Sequence, residues 1–77
     1  MGQIEVLNFL DGERVLSDKY FTVREIQKAL QDKGLTNGVI KGVHKAVIKL
    51  VMCNFIEWHG QGYWNHHKEF RGKKNGN

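Results

Sequence analysis

The 77-residue sequence predicts one small α+β domain in which three helices and a brief strand precede a C-terminal two-stranded hairpin. Three observations carry this. Thr22-Val-Arg-Glu25 matches the box that starts a helix, in which the threonine hydroxyl and glutamate carboxylate satisfy backbone N–H groups lacking helical partners. Residues 38–52 sort valines from lysines when wound as a helix but not when extended. Phe55-Ile-Glu-Trp58, a glycine-punctuated His59-Gly-Gln-Gly62 and Tyr63-Trp64 then read as strand, turn and strand.

Taken in chain order, Ile4, Val6, Leu7, Phe9 and Leu10 against Gln3, Glu5 and Asn8 predict a short first helix that stops near Asp11-Gly12. Residues 13–19 have no clean period and are read as a connection that buries Val15 or Leu16 as a plug. Tyr20-Phe21 is expected to form a brief strand. The second helix begins at the capping box. It places Val23, Ile26, Ala29 and Leu30 on its apolar stripe, turns Arg24, Glu25, Lys28, Gln31 and Asp32 to water, and ends at a left-handed Gly34.

Thr36 or Asn37 can cap the third helix, placed at about Gly38 to Met52. Its β-branched content argues for a strand, but in an extended chain the odd positions 39–51 would mix Val and Lys on one face. As a helix, Val39, Val43, Val47, Leu50 and Val51 face inward, and Lys41, His44, Lys45 and Lys49 face outward. Ile48 and Met52 fall on the cationic side, where thymine methyls, a second subunit or the hairpin can meet them.

A chain this short supports a single core, expected over 1–70, with a disordered basic tail at 71–77. Its 12 basic and 8 acidic side chains give a net charge of +4, unevenly distributed. Residues 1–35 hold five basic and six acidic side chains, whereas residues 36–77 hold seven and two, together with all four histidines. The excess therefore lies in the helix–hairpin half, which favours an oriented encounter with phosphate. The single Cys53 allows no intramolecular disulfide and suits a reducing, cytoplasmic setting. No apolar run approaches the ~18 residues of a membrane span, and no secretory leader pattern opens the chain.

Helix, strand, helix, short turn, helix and hairpin is an order shared with winged helix-turn-helix domains. The chain resembles that superfamily from about Ile4 to Phe70, most specifically in Val43-His-Lys-Ala-Val-Ile-Lys-Leu50 followed by Asn54-Phe-Ile-Glu57. In many small winged-helix regulators a Gly-Leu-Ile-Glu sequence opens the wing at this place, and small standalone chains of this kind are common among phage, archaeal-virus and plasmid products. Here Asn54 replaces the glycine, a mild departure because Asn tolerates the left-handed conformation. The resemblance implies a sequence-specific regulator of double-stranded DNA, with a recognition helix at 38–52 and a wing at 55–67; the small size and surplus of apolar residues add a homodimer, since symmetry doubles the few base pairs one helix reads. It further implies DNA contacts from Asn37, Lys41, His44, Lys45 and Lys49 on the helix. On or after the wing, Gln61, Lys68 and Arg71 would reach phosphate.

The plain alternative for the lysines is a solvated helix face. An alternative of a different class is a protein-interaction module that uses the same fold without DNA. Cys53, His59, His66 and His67 lack paired metal-ligand spacing, and a tight turn at 60–62 would set His59 opposite Tyr63 and string these side chains along the hairpin. The sequence holds no phosphate-binding glycine loop, nucleophile elbow or enclosed carboxylate pair. It is therefore read as a non-enzyme with no cofactor, metal or small-molecule substrate.

Overall fold

A computed structural model describes residues 2–60 and 68–73. Three helices, α1 (Gln3–Leu16), α2 (Val23–Asp32) and α3 (Asn37–Met52), pack with three strands, β1 (Phe21–Thr22), β2 (Ile56–His59) and β3 (Glu69–Gly72). The sheet is antiparallel, ordered β1-β3-β2, with Phe21 opposite Phe70, Trp58 opposite Phe70 and Ile56 opposite Gly72.

Each helix delivers one stripe to a common core. Val6, Phe9 and Leu10 come from α1, Val23, Ile26 and Leu30 from α2, and Val43, Ala46, Val47 and Leu50 from α3, while Ile56 and Phe70 close it from the sheet. Among the described residues no polar or charged side chain joins them. Phe70 is the largest fully buried side chain among them, central in the sheet, and Phe21 beside it meets Phe9 edge-on with ring centroids 5.2 Å apart.

The capping box at α2 forms as expected, with the Glu25 N–H donating to Thr22 Oγ1 at 3.1 Å and the Thr22 N–H donating to Glu25 Oε1 at 2.9 Å. Gly34 takes a left-handed φ of 85°, which lets the Leu35 N–H reach back to the Leu30 carbonyl. Thr36 caps α3, its hydroxyl accepting from the Val39 N–H. Asn54 holds φ 63° and releases the chain from α3 into β2.

The first helix departs from the sequence expectation. It does not stop at Asp11-Gly12 but continues to Leu16, and Val15 and Leu16 are 84% and 78% exposed instead of plugging the core. The extra turn is held from outside itself. Arg14, its side chain only 10% exposed, sets Nη1 3.3 Å from Glu57 Oε1 and Nε 3.5 Å from Asp18 Oδ1. Those charge contacts offset the roughly 1 kcal/mol of helix propensity that Gly12 gives up.

The hairpin is also longer than expected. β2 pairs with Glu69–Gly72, so His59 faces Glu69 and not Tyr63; Tyr63 and Trp64, expected as the return strand, lie outside the described residues. Two residues select this register. It puts Phe70 on the core face, and it sets Gly72 where an added Cβ would lie 2.7 Å from the Leu10 carbonyl oxygen of α1. The strand consequently runs two residues past the expected boundary at 70, and the remainder of the expected tail, 74–77, lies outside the described residues.

Candidate functional site

α3 is positioned by its core stripe, by its Thr36 cap and by one polar tie from α2, where the Gln27 amide donates to the Ile40 carbonyl at 3.0 Å. Fixing these three points determines which side of the helix faces out. Asn37, Lys41, Lys45 and Lys49 are exposed and His44 is half-buried. The three lysines recur every fourth residue, about 6 Å apart along the axis, and form one outward row. Ile48 beside them is half-buried and Met52 at the helix end is exposed.

Among the described residues the basic side chains divide into two groups. Arg14 and Arg71 pair with Glu57, Lys19 pairs with Glu25 at 3.7 Å, Lys33 lies 5.3 Å from the Phe9 ring centroid and Lys68 lies 4.8 Å from that of Trp58. Lys73 adds its field to Glu57. Arg24, Lys28, Lys41, Lys45 and Lys49 have no acidic or aromatic partner among these residues, and all five sit on α2 or α3. The sequence reading placed Arg24 and Lys28 in water without assigning them a role. Their i, i+4 spacing on the helix preceding α3 was the available signal. The carboxylates without an ion pair among the described residues are Glu5, Asp11 and Glu13 of α1 and Asp32 at the end of α2.

Arg71, expected at the start of a disordered tail, lies instead within β3 directly opposite Glu57. Its Nε is 2.6 Å from Glu57 Oε1, its Nη1 donates to the Asp18 carbonyl at 2.9 Å, and its guanidinium lies 4.3 Å over the Tyr20 ring. The Glu57 hydrogen bond, more than charge attraction alone, pushes Arg71 further above its already high range and holds the Glu57 carboxyl below the usual carboxylate range. This guanidinium ties the outer face of the sheet to the segment after α1. Tyr20 meets the His59 ring edge-on at 4.1 Å, and His59 Nε2 is 3.0 Å from Glu69 Oε1, extending the cluster to the end of β2.

Lys68 stands at the entrance to β3 with its ammonium over Trp58, and Gln61 lies outside the described residues. Cys53 is exposed at the end of α3. Among the described residues no three His, Cys, Asp or Glu side chains gather closely enough to hold a metal ion, and no helix is long and apolar enough to cross a membrane. His66 and His67 fall outside that description. No family model, curated protein or solved structure matches the chain.

Proposed function

We propose that this chain is a sequence-specific regulator of double-stranded DNA built as a winged helix-turn-helix, with α3 in the major groove and the β2–β3 hairpin near the backbone. The supporting observation is that, among the described residues, the cations without a partner collect on α2 and α3, while those elsewhere are paired with carboxylates, set over aromatic rings or, as Lys73, placed in the field of Glu57. Lys41 and Lys45, with Asn37 and His44, occupy the N-terminal half of the helix that would meet base edges. Lys49 lies farther along and, with Arg24 and Lys28 of α2, suits the phosphate backbone. Regulation would be steric, by occupancy near a promoter, and two copies on a two-fold site would double the sequence read. No cofactor or small-molecule substrate enters this reading.

Selection of random duplexes on the purified chain, followed by gel shifts at two salt concentrations, tests the proposal. An enriched motif is expected, bound less tightly as salt rises, with a slope of about 0.9 per phosphate neutralised. Absence of both enrichment and shift at micromolar protein would remove it. The competing module for protein partners draws on Met52, Phe55 and Trp58, exposed where α3 passes into β2. That alternative predicts binding indifferent to Lys41→Ala and Lys45→Ala.

A further inference from the structure

α3 repeats its lysines every fourth residue, and four residues turn a helix by about 40° more than a full circle. The row therefore drifts around the helix. Measured from the line opposite the buried Leu50, Lys41 lies on that outermost line, Lys45 about 40° to one side of it and Lys49 about 80° to the same side. Asn37 and His44 stand about 40° and 60° to the other side. Ile48, within about 20° of the outermost line, takes the place that the drifting row leaves.

Ile48 is half-buried without belonging to the core. Among the described residues, the half-buried apolar side chains of α3 that pack against the core are Val39, Ile40 and Val51. Ile48 is thus an aliphatic group at the centre of a cationic face, on a helix that carries no aspartate or glutamate along its length. Charge complementarity selects a polyanion for that face, and the central side chain calls for an apolar group on it. With α3 in the major groove, the reading on which this inference rests, the outermost line is the one that goes deepest. Among the four bases only thymine presents a methyl group there.

We infer that Ile48 is a specificity-determining residue, meeting a thymine C5-methyl and selecting thymine at one position of the target. It lies about 10 Å beyond Lys41 along the axis, a span of about three base-pair steps at ~3.4 Å each. The selected thymine should fall at that separation from the base nearest Lys41. Met52, on the same line, is the last residue of the helix and lies beyond Lys49, the backbone contact.

The test takes the full chain and the duplex motif enriched by selection, with each thymine replaced in turn by deoxyuridine, which removes the methyl and nothing else. At one fixed salt concentration the parent chain should bind one substituted duplex about fourfold more weakly, the transfer free energy of one methyl group, and the others as it binds the original. Ile48→Ala, with its helical circular dichroism retained, should bind that duplex and the original alike. Lys49→Ala should weaken both and keep the distinction. The position of the sensitive thymine, about three base pairs from the base whose preference Lys41→Ala relaxes, is a second check that needs no change at Ile48. An enriched motif whose thymines can all be replaced without loss, or a distinction that survives Ile48→Ala, would overturn the inference and leave the DNA reading standing. A chain that binds no duplex would remove both.

Discussion

Replacing Gly72 by alanine tests the closest approach between α1 and β3. An ideal Cβ there would lie 2.6 Å from Asp11 Oδ1, 2.7 Å from the Leu10 carbonyl oxygen and 2.8 Å from its carbon, whereas ordinary contact begins at 3.4 Å. The Asp11 carboxylate can swing aside. The Leu10 carbonyl cannot, because it belongs to the helix backbone, so α1 and β3 must separate by about 0.7 Å, the difference between 2.7 and 3.4 Å. That movement loosens Leu10 and Phe70, both fully buried. Overpacking of this kind costs about 1–3 kcal/mol, which in a domain of this size lowers the melting midpoint by about 4–24 °C. The control is Gly12→Ala, where the added methyl meets nothing and helix propensity improves by about 1 kcal/mol. Urea and thermal unfolding at micromolar protein should move the two variants in opposite directions. If Gly72→Ala melts with the parent, the close approach of α1 to β3 is wrong, and with it the reason given for the strand register.

Lys41→Ala, Lys45→Ala and Lys49→Ala should each reduce the salt slope of DNA binding by about one, because one phosphate fewer is neutralised, without lowering the melting midpoint. Arg71→Ala should do the reverse, costing about 1 kcal/mol of stability with DNA affinity retained when measured below the melting temperature. Gln27→Ala removes the amide that reaches the Ile40 carbonyl, at about 1 kcal/mol by urea denaturation. In acid, the lowered Glu57 carboxyl contributes stability that is present above the usual carboxylate range and is lost as pH falls through its lowered value. Glu57→Gln should therefore flatten the decline of the urea midpoint in acid. Asp11 has the opposite sign, since burial raises its carboxyl and its contribution improves as pH falls through that raised value. Asp11→Asn should accordingly gain stability at neutral pH and steepen the acid decline.

The α2 start at Thr22, the left-handed Gly34, the α3 span and the separation of its valines from its lysines were all legible in the chain before folding, to within one residue at each end. These depend on neighbours one helical turn away, so the periodicity and cap residues that cause them lie side by side in the sequence. The outward row of Lys41, Lys45 and Lys49 was readable for the same reason, since orienting the buried face of a helix orients the other. How far α1 runs, which strand answers β2 and what Arg71 holds emerged from packing in three dimensions alone. Each depends on partners far along the chain: Arg14 on Glu57, Gly72 on the Leu10 carbonyl, and Arg71 on both Glu57 and the Asp18 carbonyl. Local propensity favoured a stop at Asp11-Gly12 and a return at the Tyr63-Trp64 pair. Burial of Phe70 and pairing of the Glu57 charge outweighed it, because packing and charge neutralisation act on spatial neighbours whatever their separation in sequence.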